Sequence, residues 1–125
     1  MLAGLALLTF TLLRAIRCVS FDRDFYLAEF RKFDIPSATY MSWEDLTRSV
    51  DALLQYLAGA RSSPQLEVTV SGARVPLYTQ RELLHLQDVA HLYSLSLPVI
   101  TVAAVLFFLL LAAALVLAHR RAVNT

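Results

Sequence analysis

The sequence predicts a mainly α-helical membrane protein: two transmembrane helices bracketing a small domain of helices plus one β-hairpin. Three observations carry that prediction. Residues 97–118 read LPVITVAAVLFFLLLAAALVLA, with no charge and Thr101 as the single hydroxyl. The chain has 125 residues and is 58% hydrophobic, against about 45–50% for ordinary soluble domains. The polar residues are concentrated between the two ends, where residues 20–96 hold all 10 acidic side chains and most of the 11 lysines and arginines.

The second apolar run is the least ambiguous element. As a helix it is roughly 33 Å long, enough for a hydrocarbon core of about 30 Å. A helix apolar on every side is rarely accommodated by a soluble domain. The first run, residues 1–19, is apolar to Leu13 apart from Thr9 and Thr11, and Arg14 and Arg17 then interrupt it. It spans if both arginines reach the interface. A cleaved signal peptide is the competing reading. It wants a basic start and small residues before the cut, but no Lys or Arg precedes Arg14, and Ile16 and Arg17 precede Cys18. An uncleaved span is therefore expected. The resulting organisation is 1–19 span, 20–96 polar domain, 97–118 span and 119–125 tail.

Net charge is +1, which gives no nucleic-acid footprint. The single Cys18 excludes an internal disulfide framework without fixing the redox compartment. About 75 polar-domain residues make only a thin core. Charge leaves the orientation open. Arg120 and Arg121 argue for a cytoplasmic tail, whereas Arg14 and Arg17 argue the other way.

Within the polar domain, Phe21 to Phe33 interleaves Phe21, Phe25, Tyr26, Phe30 and Phe33 with charges. That pattern suits either the headgroup layer or a helix packing aromatics onto its own domain. Asp34-Ile35-Pro36-Ser37 breaks this helix. Ser42 is placed to cap the next, with Glu44 and Asp45 in its first turn, a core-facing stripe of Leu46, Val50, Leu53 and Leu57, and Gly59 to end it. Leu66 to Val70 alternates with period two, Ser71-Gly72 supplies a turn, and Ala73 to Tyr78 is the expected return strand. Pro76 restricts that strand to an edge or a bulge.

A further helix starts at Thr79-Gln80-Arg81-Glu82, a capping box, and runs through Tyr93. At about 100° per residue, Leu83, Leu86, Ala90 and Tyr93 share one side. Arg81, His85 and Asp88 fall within roughly 60° of one another on a different side, with Leu92 beneath them. One turn thus offers a guanidinium, an imidazole and a carboxylate. Asp88 is placed to orient His85, and Arg81 to hold an anionic or carbonyl oxygen. The plain alternative is a solvated polar face of ordinary helical pairs. A metal site is not expected, because His91 lies about 120° round the helix from His85.

These segments, in order, resemble the bacterial lipoprotein intramolecular transacylase (Lit) family of integral membrane proteins. The resemblance runs through Phe25-Tyr26-Leu27, Asp34-Ile35-Pro36, Met41-Ser42-Trp43-Glu44-Asp45-Leu46, Leu53-Leu54-Gln55-Tyr56-Leu57 and Tyr78 to Val89. Its most specific part is Arg81-Glu82 with His85 and Asp88-Val89. The resemblance implies a multi-pass plasma-membrane protein whose middle domain is extracytoplasmic. It implies transfer of the sn-2 acyl chain of a lipoprotein's diacylglyceryl group to the amine of its N-terminal cysteine. His85 would be the catalytic base, with Arg81, Glu82 and Asp88 in support. The implied partners are membrane lipid and a diacylglyceryl lipoprotein, and no soluble cofactor is implied. His91 has no counterpart in the motif.

The resemblance reaches only the front half of a family member. Family members carry two further spans and a second functional histidine in an aromatic-rich segment, and His119 lies at the wrong membrane face to replace it. The missing half is expected in a longer gene or in a second polypeptide, or else this half dimerises for another purpose. The rival expectation, from a different class, is a non-catalytic membrane subunit or scaffold whose outer domain binds a partner.

Overall fold

Caps and apolar spacing decide where the helices form. The computed structural model describes residues 1–123. In chain order the elements are α1 (Leu2–Ser20), α2 (Arg23–Lys32), α3 (Ile35–Thr39), α4 (Trp43–Leu57), β1 (Glu67–Val70), β2 (Ala73–Pro76) and α5 (Gln80–Val123). The protein is mainly helical, and α1 and α5 are long and apolar enough to cross a membrane. The strands form one small antiparallel sheet. The chain divides into two units, one made of Met1–Cys18 with the chain from Leu95 onward, the other of Val19–Ser94.

In the first unit, Ala6, Ile100 and Ala103 are buried. Arg17 donates from Nη1 to Ser96 Oγ at 2.8 Å. Most large apolar side chains here are outward-facing, including Leu8, Phe108 and Leu109, each more than 60% exposed. Thr9, Thr11 and Thr101 return their hydroxyls to carbonyls one turn back, so these polar groups are satisfied within their own helices.

In the second unit, the Asp22 carboxylate accepts from Phe25 N–H at 3.1 Å and starts α2. Its aromatics divide between two roles. Phe21 meets Tyr93 edge to face at 5.4 Å and the Tyr26 hydroxyl donates to Ser20 O, while Phe25 and Phe33 stay exposed. Asp34 ends the helix in the left-handed region at φ 47°. The short α3 was not anticipated from sequence, where Asp34 to Ser37 reads only as a break. Pro36 falls in its first turn, where a fixed φ and a missing N–H cost nothing.

Ser42 Oγ accepts from Asp45 N–H at 3.1 Å to cap α4, and Gly59 follows its end at φ 78°. Leu46, Val50 and Ala52 of α4, Pro64 of the following loop and Val68 of β1 are buried apolar residues of this unit. Leu53 and Leu57 of the anticipated stripe are only half-buried. The buried Asp45 ties helix to sheet: Oδ2 accepts from Thr69 N–H at 2.9 Å and Oδ1 from Arg48 at 2.8 Å. α2 rests on α4 through the Arg23–Asp51 ion pair and through Arg31, which lies 5.0 Å above the Trp43 ring.

The hairpin pairs Val68 with Val75 and Val70 with Ala73, and it turns through Ser71 (φ 50°) and Gly72 (φ 84°). The return strand stops at Pro76, two residues short of the expected Tyr78. Beyond Leu77 the ladder passes to a side chain. Gln65 Oε1 accepts from Tyr78 N–H at 3.0 Å, and Gln65 Nε2 donates to Tyr78 O at 2.7 Å.

A further difference from the sequence reading concerns α5. Residues 81–93 and the apolar run are not separate helices but one continuous helix of 44 residues that passes through Pro98. Nothing from Tyr93 to Leu97 supplies a capping glycine. The loss at Pro98 is one N–H and one i→i−4 bond, which a long helix tolerates.

Candidate functional site

The first turn of α5 is built by a reciprocal cap. Thr79 N–H and Oγ1 both donate to Glu82 Oε2, at 2.7 and 2.8 Å, and Glu82 N–H returns to Thr79 Oγ1 at 3.4 Å. These bonds, the backbone one foremost, hold the Glu82 carboxyl below the usual carboxylate range. Next to it, burial and then the Glu82 charge push the Tyr78 phenol up. Glu82 therefore has a structural role, in which its Oε2 fixes the start of the helix that carries the other candidate residues.

From that start the faces of α5 separate. Leu83, Leu86, Val89, Ala90 and Tyr93 are half-buried, whereas Arg81, His85, Asp88 and Leu92 are exposed. The stripe foreseen from spacing thus lies on the open side. Its members share a face but are not bonded to each other: among the described residues, no hydrogen bond or ion pair joins Arg81, His85 and Asp88. In this arrangement the imidazole is open to an incoming group, and Arg81 and Asp88 flank it without occupying it. His91 is exposed on another side. No group of three metal-ligating side chains gathers among the described residues.

One feature escaped sequence reasoning. A groove of about 270 Å³ lies between the loop after α4 and the beginning of α5, lined by Tyr56, Ser62, Pro64, Gln80, Leu84 and Gln87 among others. His85 does not line it. The α5 residues of this groove recur at helical spacing, which is visible in sequence. The fold of Ser62-Ser63-Pro64 against them is not, because it depends on Arg61 gripping its own loop. Arg61 Nε donates to Ser63 O at 2.6 Å and Nη2 to Gln65 O at 3.0 Å.

Comparison with known proteins adds one finding. The model of a family described as "Lipoprotein intramolecular transacylase Lit" matches residues 1–122. No curated protein and no solved structure matches the chain.

Proposed function

The chain belongs to the lipoprotein intramolecular transacylase family, and on that premise we propose that it takes part in O-to-N acyl transfer on a membrane-anchored lipoprotein, with His85 as general base. The substrate is a cysteine bearing a diacylglyceryl group. The cysteine α-amine attacks the sn-2 ester carbonyl, a C–N bond forms, the ester C–O bond breaks, and the glyceryl oxygen leaves with a proton. An ammonium is no nucleophile, so a base must take its proton, and the same imidazolium can return one to the leaving alkoxide. Arg81 is suited to the oxyanion, and Asp88 to orienting His85 once substrate is bound. Glu82 supports the site through the cap.

The reading carries a placement in the bilayer. α1 and the apolar part of α5 span the plasma membrane, residues 20–96 lie outside the cell, and residues 119–125 face the cytoplasm. The exposed apolar surfaces of both helices support this, since a monomer in water rarely shows such patches.

The family match over nearly the whole chain, with an open imidazole at the matching motif, is the observation that carries the proposal. The test is expression in a host lacking the activity, alone and with any adjacent half, followed by mass spectrometry of lipoprotein N-termini. N-acylated lyso-form lipoprotein that disappears with His85→Ala is the expected result, and unchanged product from that variant removes His85 from the reaction. A non-catalytic scaffold is the second reading. It draws on the lack of bonding among Arg81, His85 and Asp88, which an ordinary solvated face shares. It predicts no N-acyl product under any pairing.

A further inference from the structure

The groove on the other side of α5 from the His85 stripe has a chemistry of its own. Besides Ser63, whose hydroxyl accepts from Gln65 N–H, four neutral hydrogen-bonding side chains line it: the Tyr56 hydroxyl, the Ser62 hydroxyl and the Gln80 and Gln87 amides. Among the described residues none of these four side chains takes a hydrogen bond from the protein. No charged side chain lines the groove, and Leu83 and Leu84 supply its apolar part. A phosphate or a metal ion would find no counter-charge here. A peptide backbone finds what it needs, because each glutamine amide offers both a donor and an acceptor to match an N–H and a C=O. Gln80 and Gln87 lie on one face, separated by about 10.5 Å along the helix, which is about three residues of extended chain.

The groove is carried by the same helix as His85. Its centre lies roughly 150° round α5 from that side chain, an arc of about 13 Å, which corresponds to about four extended residues. We propose that this groove binds the polypeptide of the lipoprotein substrate, taking residues from about the fifth onward after the lipidated cysteine. The proposal rests on the transacylase reading and adds to it the peptide part of the substrate. Recognition is by backbone amides, with side-chain preference limited to small or apolar residues over Leu84. It anchors the protein end of the substrate while the lipid end meets His85.

The test places a photoreactive benzoylphenylalanine at position 84 of the full chain, held in phosphatidylglycerol nanodiscs. The probes are a synthetic diacylglyceryl-cysteine amide and the same lipid on an uncharged peptide of seven residues. The expected result is crosslinking to the longer probe alone, mapped by mass spectrometry to about residues five to seven, and about tenfold weaker in Gln80→Ala/Gln87→Ala, as the loss of two hydrogen bonds implies. Both positions are exposed, so the pair is compatible with folding. Equal capture of the two probes, or capture unaffected by the glutamine pair, overturns the proposal. N-acyl product is measured in the same samples. Capture without product, with any companion half also present, upholds the groove and counts against the transacylase reading, whereas product without capture does the reverse.

Discussion

At the scale of single residues, the start of α5 depends on the Glu82 carboxylate, whose Oε2 closes a reciprocal cap with Thr79. Two donors from Thr79 stabilise the ionised form of Glu82, so its folded pKa lies below the unfolded value of about 4.3. The sign follows: the stabilisation is complete above the unfolded value and is lost as pH falls through the lowered folded value. Amide exchange in the first turn of α5 should accelerate across that acid window. Glu82→Gln retains a capping oxygen and should abolish the pH step while leaving the helix start formed. An identical pH profile in the variant would contradict this role. Asp45 provides a second contrast. Removing it by Asp45→Ala strips a partner from Thr69 N–H and opens the joint between α4 and β1. This change should cost about 1–3 kcal/mol. Arg48→Ala removes only a half-exposed helical pair and should cost less than about 1 kcal/mol. Thermal unfolding of the two variants side by side checks the ordering.

At the scale of elements, the thin core concentrates its sensitivity at few positions. Leu46 is 4% exposed and shares the core with Val50 and Val68, so Leu46→Ala should destabilise the polar domain by about 2–5 kcal/mol. At the hairpin, Ser71 holds φ 50° with a Cβ that disfavours it. Asn accepts that region more readily, and Ser71→Asn should stabilise by up to about 1 kcal/mol; a fall in melting temperature would refute the turn assignment. Such positions also explain what could be foreseen. Ser42 and Gly59 mark α4, and Thr79 and Glu82 mark α5, because caps are local chemistry written within three or four residues. The Ser71-Gly72 turn is local in the same way. α3 was missed because Pro36 signals a helix start and a helix break equally. The end of β2 was misplaced because Gln65, thirteen residues away from Tyr78, takes over the ladder. The exposed face of Arg81, His85 and Asp88 was legible from periodicity. Their lack of mutual bonding was not, since it depends on rotamers that no spacing rule fixes. The Ser62–Gln87 groove needs a loop packed against a helix, which is information beyond any single segment.

At the scale of the whole molecule, the proposed topology makes a labelling prediction. In a Cys18→Ser background, a cysteine at Ser62 should react with a membrane-impermeant maleimide added to intact cells, and one at Val123 only after permeabilisation. The reverse pattern would place the His85 stripe at the wrong face of the bilayer for any diacylglyceryl substrate presented outside. The proposed acyl transfer takes place within one lipoprotein molecule with help from the His85 imidazole, and an isotope crossover distinguishes it from transfer between molecules. Two synthetic diacylglyceryl lipopeptides are mixed in nanodiscs with the chain and any companion half, one heavy in both its sn-2 acyl chain and its peptide, the other light throughout. The account predicts N-acylated products that are wholly heavy or wholly light, formed by the unaltered protein and absent with His85→Ala. Mixed heavy–light products, or undiminished transfer by His85→Ala, would contradict it.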